Sequence, residues 1–483
     1  MLRSLSSGEA AELRGFLKEA GYTADGIRAV FRSGDLPSRK LRNLPRMLYQ
    51  SEEPGLLNTL LRWFILGVPA PADAVPVGTV ALLERCGLLE RNGGSCVSTA
   101  MIAPYENHLV VTDHAARVEA GDAPDVVLGL NRTTFLLDRF ALRDPVHAAL
   151  DLGCGNGVIA LTLAGHATRV AATDVNPRAI EFAAFNVWLN GMDHVECFEG
   201  DRFAPVRGRR FNLILSNPPF FVTPFSGTVF CENPFELDLF CRGLVREAPA
   251  YLEEGGFLQL VCEWVGLRGQ AWRERVEEWV EGTGCDAWIL RGYSESTAGY
   301  CEKRLAETRP DDDPAMFRNW MRYYESRGVE AVHGGVIAMR KRSGANWVHC
   351  GDKPEGRLPF GALVRGVFVA HDVLERTPDE ALMATRPKLA AETRLQREWR
   401  LEEGNWAPAG CQLVCTEPAA VSQAVEPLVA GFTALLDGRR TLAEAADAFA
   451  AATGAAREKA GGECAAIVRH LALRGLVEIQ GVR

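Results

Sequence analysis

Paired metal-binding cysteines are missing from this chain. Its thirteen cysteines are scattered singly, the closest two being Cys411 and Cys415, with no C-x-x-C pair and no companion histidine cluster. That spacing argues against a zinc site, and a disulfide framework does not suit a chain of 483 residues. Reduced thiols and no metal are expected. Long apolar runs are missing too: none approaches the length needed to cross a bilayer. The opening Met1-Leu2-Arg3-Ser4-Leu5-Ser6-Ser7-Gly8-Glu9 holds no apolar core of a secretory signal. The expectation is a cytoplasmic protein with no membrane partner. Positive charge is not in excess: the net charge is −9 and the pI about 5.7. This gives no general electrostatic footprint for nucleic acid, although a local basic patch is compatible with it. No G-K-[ST] phosphate loop and no internal repeat is found.

What is present centres on Ala149-Leu150-Asp151-Leu152-Gly153-Cys154-Gly155-Asn156-Gly157-Val158-Ile159-Ala160-Leu161. An apolar run ends in an acid, three glycines follow at every second position, and a helical apolar pattern begins. This reads as strand, glycine turn and helix. Glycine lets the backbone turn tightly and approach a ligand without a Cβ in the way. A helix starting there points N–H groups and a positive dipole end at whatever lies above it. A second strand, residues 168–174, ends in Asp174, about 20 residues on, where doubly wound folds place an acid on a ribose diol. Asn176 and Pro177 then cap and open a helix. Residues 195–199 read as a third strand, followed by Gly200-Asp201. Residues 211–215 read as a fourth, followed by Ser216-Asn217-Pro218-Pro219-Phe220.

The glycine turn is similar to motif I of class I S-adenosylmethionine-dependent methyltransferases. Asn217-Pro218-Pro219-Phe220 resembles motif IV of the branch that methylates planar nitrogens. Residues 130–342 carry the resemblance; the flanks do not. The resemblance implies an α/β fold, with a seven-stranded Rossmann-like methyltransferase sheet and helical or winged-helix-like N- and C-terminal domains. It implies S-adenosyl-L-methionine as cofactor, held by Asp151, Gly153, Gly155, Asn156 and Gly157, with Asp174 on the ribose and Asp201 on the adenine. Thr133 and Thr134 are candidates for contacting the methionine end, or simply for capping a helix. An exocyclic NH₂ is a poor nucleophile because its lone pair is delocalised. Asn217 and the Pro218 carbonyl would accept its hydrogens, the prolines would stiffen the backbone, and Phe220 would stack on a flat substrate.

Relatives of this branch act on guanine amino groups of ribosomal RNA, adenine amino groups of RNA or DNA, or glutamine of release factors. Phe rather than Tyr after Pro-Pro favours a nucleobase, RNA first. A protein glutamine is the second reading, a small molecule the third. A protein that binds cofactor or nucleic acid without catalysis is the reading from another class.

The chain divides as follows. Residues 1–70 read as helical. Residues 71–125 read as a winged-helix-like module with a helix at 79–85 and strands at 96–102 and 108–112, serving nucleic-acid contact or, preferably, packing. Residues 126–345 form the methyltransferase domain. Residues 350–483 form a helical, winged-helix-like domain, helical over 417–436, with a capping box at Thr441-Leu442-Ala443-Glu444. Phe221, Phe225 and Phe230 either line a substrate pocket or pack a loop. Trp272 and Trp279 read as core. Asp311-Asp312-Asp313-Pro314 opens a helix with Trp320, Tyr323 and Tyr324 that could shape specificity. Lys341-Arg342 reads as a strand end, or as a nucleic-acid contact.

Overall fold

The computed structural model describes residues 1–34, 43–120, 125–224, 234–308, 314–353, 360–415 and 421–480. Phe225, Phe230 and the acids 311–313 lie outside them. Two compact units emerge: residues 1–138 with 144–352, and residues 139–143 with 353–483.

The first unit is built on one sheet. Its strands are β1 (Val146–Leu152), β2 (Ala167–Asp174), β3 (Val195–Glu199), β4 (Phe211–Ser216), β5 (Leu252–Leu267), β6 (Cys285–Ser296), β7 (Val329–Lys341) and β8 (Val348–Asp352). They lie in the order β8-β6-β7-β5-β4-β1-β2-β3. The sheet therefore has eight strands where seven were expected. The extra strand, β8, pairs parallel with the outer edge of β6. β1 to β5 run parallel and β7 runs antiparallel to both its neighbours. Parallel strands need both faces covered, which is why the buried parts of β1, β2 and β4 are mainly apolar, Ala148-Ala149-Leu150, Val170-Ala171-Ala172 and Leu213-Ile214-Leu215. The strand order reverses between β1 and β4, the place where an open α/β sheet leaves a crevice at its C-terminal edge.

Helix α1 (Val158–Ala164) follows β1, and α2 (Pro177–Asn190) follows β2. Asn176 caps α2 as expected, accepting from Arg178 N at 3.0 Å. Two buried carboxylates tie the sheet to its surroundings. Asp238 takes both ends of the Arg275 guanidinium at 2.6 Å and the Val265 N–H at 2.9 Å. Asp286 pairs with Arg340 at 2.7 Å and Arg342 at 3.0 Å. The Lys341 ammonium donates to the carbonyls of Pro249, 2.9 Å, and Leu252, 3.1 Å. Lys341 and Arg342 thus close the strand end against the fold. Trp279 is buried, as expected, and Trp272 half-buried.

The N-terminal residues are helical, as expected. Helices span Ser7–Glu19, Ala24–Phe31, Leu44–Gln50 and Leu56–Leu61, the last continuing into a π-turn over Arg62–Leu66. Helix Val77–Arg85 precedes two hairpins, Leu89–Asn92 with Ser95–Ser98 and Met101–Tyr105 with His108–Thr112. The single strand expected at 96–102 is split at Thr99-Ala100, where the second hairpin departs. One apolar core holds Leu13, Ile27, Trp63 and Leu83 of these elements together with Phe182, Phe185 and Leu189 of α2. The N-terminal elements therefore share a core with the sheet's own helix layer.

The second unit has helix Gly361–Arg376 and the helices Pro427–Thr433, Leu442–Thr453 and Arg457–Ala472. Thr441 and Glu444 form the expected capping box. The helix expected across 417–436 is corrected: Val421–Val425 is a strand on a three-stranded antiparallel sheet with Thr393–Glu402 and Asn405–Cys415. Val421, Gln423 and Val425 are half-buried on one face and Ser422 and Ala424 exposed on the other, a period of two that suits a strand and not a helix.

Candidate cofactor and substrate site

β1 and β4 end side by side, with Leu152 opposite Ser216. The glycine turn and Asn217-Pro218 therefore emerge as neighbours at the C-terminal edge of the sheet. Ser216 Oγ donates to the Leu152 carbonyl at 2.7 Å and binds the two strand ends together. Between them lies a cavity of about 430 Å³ lined by Asp151, Gly153, Gly155, Asn156, Thr134, Asp174, Asp201, Asn217 and Pro218. Nine of the twelve candidate cofactor and catalytic residues thus meet at one place. Thr133, Gly157 and Phe220 do not line it. Phe220 is buried and packs edge-on against Phe221, so the flat surface assigned to it is not on the cavity wall. Pro234, Phe235 and Phe240 supply apolar surface there instead.

The turn's backbone explains its glycines. Gly153, Gly155 and Gly157 have φ of +75°, +52° and +78°, a region that costs other residues about 1–2 kcal/mol. A Cβ on Gly155 would meet nothing within 4 Å, whereas one on Gly157 would stand 3.0 Å from Ala183 Cβ. Gly155 therefore leaves space for a ligand, and Gly157 lets α1 approach α2. The amides that the sequence points at a ligand are largely engaged by the protein. Gly155 N donates to Asp174 Oδ2 at 2.8 Å, Val158 N to Asn156 Oδ1 at 3.0 Å and Ala160 N to Asp151 Oδ2 at 2.9 Å. Those three donors hold the turn rigid instead of presenting free N–H groups.

Asp174 also accepts from Asn176 N at 2.9 Å. Each of its oxygens keeps a lone pair for a diol. Burial raises its carboxyl above the ordinary range. Burial likewise pushes Asp151 up to about 7, aided by the charge of Asp174. The same burial holds the Cys154 thiol well above its usual range, so it stays protonated and is no nucleophile. Asp201 is exposed and pairs with Arg202 at 3.3 Å. Thr134 is buried at the start of helix Arg132–Phe140. Its N–H, like that of Thr133, donates to Asn131 Oδ1 at 3.0 Å. Asn131 is thus the cap, a role legible in an Asn two residues before a Thr-Thr pair.

Asn217 carries the decisive feature. Its Oδ1 is buried and makes no hydrogen bond within the protein. A buried acceptor without a donor costs about 1–3 kcal/mol, so this oxygen is poised for an N–H brought in by a ligand. Just beyond it, Val222 is clamped from both sides: its N–H donates to Tyr300 Oη at 3.1 Å, and its carbonyl accepts from Tyr324 Oη at 2.6 Å. Tyr300, Tyr293 and Arg304 all donate to the buried Glu263 carboxylate. Burial, with the Glu263 charge behind it, keeps the Tyr300 hydroxyl protonated. The sequence reading did not single out Glu263; its signal is a lone acid in the apolar run Leu260-Val261-Cys262-Glu263-Trp264-Val265.

Residues 131–265 match the family model described as methyltransferase small domain. Over those residues the chain is similar to the methyltransferase small domain. It is 37% identical over 126 residues to a release factor glutamine methyltransferase of Xylella fastidiosa, which covers 24% of this chain and 46% of that protein. It is 35% identical over 201 residues to a ribosomal RNA small subunit methyltransferase C of Salmonella gallinarum, covering 40% of this chain and 53% of that one. The chain thus spans about half the length of these relatives. Among solved structures, a methyltransferase from Pyrococcus furiosus aligns with 17% identity and a TM-score of 0.27, over 44% of this chain and 82% of that one. No helix among the described residues is long and apolar enough to cross a membrane, and no cluster there could hold a metal ion.

Proposed function

We propose that this protein is an S-adenosylmethionine-dependent N-methyltransferase acting on an NH₂ group attached to an sp² carbon. The observation that carries the reading is the unpartnered, buried Asn217 Oδ1 on the wall of the cavity that the glycine turn opens. The residues fit the cofactor: a turn without side chains, an acid at the end of β2 with lone pairs to spare, and apolar wall around them. When bound, S-adenosylmethionine supplies an electrophilic methyl group on a sulfonium.

The protein's part is orientation. Asn217 Oδ1 accepts one hydrogen of the substrate amino group and draws the nitrogen lone pair out of conjugation. Pro218 and Pro219 restrict the backbone so that the acceptor is aimed beforehand. The Tyr300–Tyr324 clamp on Val222 holds the far end of the motif. Transfer replaces one N–H by N–CH₃, and the displaced proton leaves after the new bond forms. Positioning and electrostatics therefore suffice without a strong base. We take an amino group of an RNA base as the first substrate and a protein glutamine as the second. Relatives of both kinds are similar to this chain. Phe220 favours the base by its identity, while its place off the cavity wall removes it as the stacking surface.

The test is incubation with methyl-labelled S-adenosylmethionine and separated RNA and protein fractions. Label in RNase-sensitive material supports the first substrate, and label in protease-sensitive material the second. Asn217→Ala should lower transfer on the order of 100-fold while S-adenosylhomocysteine binds as before. Unimpaired transfer in that variant would overturn the reading.

A further inference from the structure

Among the described residues, the strand His108–Thr112 pairs with Met101–Tyr105 on one edge and with no strand on the other. Its other edge is met by side chains of α2. Asn190 Oδ1 accepts from Leu109 N at 3.0 Å and its Nδ2 donates to Leu109 O at 2.8 Å. One helical turn earlier, Asn186 Oδ1 accepts from Val111 N at 2.7 Å and its Nδ2 donates to Val111 O at 2.9 Å. Two amides at i and i+4 on one helix thus imitate a neighbouring strand, matching residues i and i+2 of the hairpin. A backbone edge buried against a helix needs such partners.

Asn186 does something that Asn190 does not. It is wholly buried, and its Nδ2 also donates to the carbonyl of Asn156 in the glycine turn, at 2.8 Å. Asn156 in turn donates from Nδ2 to Leu128 O at 2.8 Å. Leu128 and Asn156 are both cavity wall. The neighbouring Val127 returns to the hairpin: its N–H donates to Asp113 Oδ2 at 2.9 Å, and its carbonyl accepts from Thr112 Oγ1 at 2.7 Å. Asp113 is itself held by the Arg178 guanidinium of α2. The bonds close a ring from Val111 through Asn186, Asn156, Leu128 and Val127 to Thr112 and Asp113. Two walls of the cavity are therefore joined twice, directly by Asn156 and a second time through Asn186 and one N-terminal strand.

We propose that Asn186 is a positioning residue for the cofactor, and that through it the N-terminal hairpin at 101–113 is part of the cofactor site. The proposal rests on the cofactor reading above. Asn186 does not line the cavity; it braces the glycine turn, at the Asn156 carbonyl, against the hairpin that also holds the wall at 126–129. Linkage then requires the converse: filling the cavity steadies the hairpin.

The experiment uses the full chain and S-adenosylhomocysteine as probe. Calorimetric titration compares wild type, Asn186→Ala and Asn190→Ala. The two variants remove the same pair of bonds to the same strand, and Asn190→Ala also removes the bond from Asn190 Nδ2 to the Asn186 carbonyl, so a role confined to holding the strand edge would weaken binding in both. The expected result is a dissociation constant raised at least about tenfold in Asn186→Ala and within about twofold of wild type in Asn190→Ala. Hydrogen exchange on wild type, read on peptides covering 106–113, should slow when the probe saturates the protein. This second readout decides the matter if Asn186→Ala does not fold. A folded Asn186→Ala that binds like wild type, equal weakening in both variants, or exchange at 106–113 indifferent to the probe would each overturn the proposal. Wild type that fails to bind the probe at millimolar concentration is a different result and removes the cofactor reading itself.

Discussion

Asp151 ends the first strand in a place without water, and its ionisation is correspondingly resisted. Its carboxyl sits at about 7 against an ordinary 3.8. The folded state keeps this proton up to about that pH, while the unfolded chain releases it near its ordinary value. Its contribution to stability is therefore present at low pH and is lost as pH rises through the window between the two. The ceiling on that loss is ~4 kcal/mol. Asp151→Asn keeps an oxygen for the Ala160 N–H and removes the charge. The variant should show a flatter stability profile between about pH 4 and about pH 7, read by urea unfolding. At Gly157, a methyl group would press on Ala183 at 3.0 Å with the backbone at φ +78°. Gly157→Ala should destabilise by roughly 1–3 kcal/mol and weaken S-adenosylhomocysteine binding, because the turn and α1 shift together. The residues themselves were readable at both places. Their burial was not, because desolvation depends on what the rest of the chain packs over them.

At the level of elements, the segment after Asn217-Pro218-Pro219-Phe220 is held by helices that begin some eighty residues later in the chain. Tyr300 stands on helix Thr297–Thr308 and Tyr324 on helix Pro314–Glu325, and both reach Val222. Tyr300→Phe keeps the ring and leaves the Val222 N–H without an acceptor, at a cost of about 1–3 kcal/mol. It should lower kcat with little change in cofactor affinity, measured by steady-state transfer beside calorimetry. Glu263→Gln removes the negative charge that faces the buried Arg304 guanidinium and should cost more, about 3–5 kcal/mol, seen as the larger drop in the unfolding midpoint. Of Trp320, Tyr323 and Tyr324, expected to shape specificity, Tyr324 bonds the backbone just beyond the motif, so it would act on placement. Tyr323 similarly accepts from Leu237 N at 3.2 Å.

Over the whole molecule, the cavity and every candidate site residue belong to the unit of residues 1–138 and 144–352. Ligand binding stabilises only what it binds. In scanning calorimetry, S-adenosylhomocysteine at about 100 times its dissociation constant should add about 2.7 kcal/mol to that unit. The melting of residues 353–483, followed by proteolysis of the same samples, should stay where it was. A shift of the second unit's transition by the same amount would mean that the two melt as one.

What the amino-acid order determined was local. The alternation of three glycines needs positive φ. The acids close two apolar runs, and two prolines follow an asparagine; each is a demand met within a few residues of backbone, and each stands where it was read. The parallel core strands were legible for the same reason, because burial on both faces writes itself as an unbroken apolar run. Tertiary structure alone decided the rest. It added β8, a five-residue strand too short and mixed to announce itself, which exists because β6 offers an open edge. It turned Val421–Val425 from helix to strand, because a hairpin edge was there to receive it. It took Phe220 off the cavity and brought Asn186 to the glycine turn. Hydrogen bonds between residues 30 to 75 positions apart leave no period in a sequence, since their geometry is set by the packing of elements and not by the spacing along the chain.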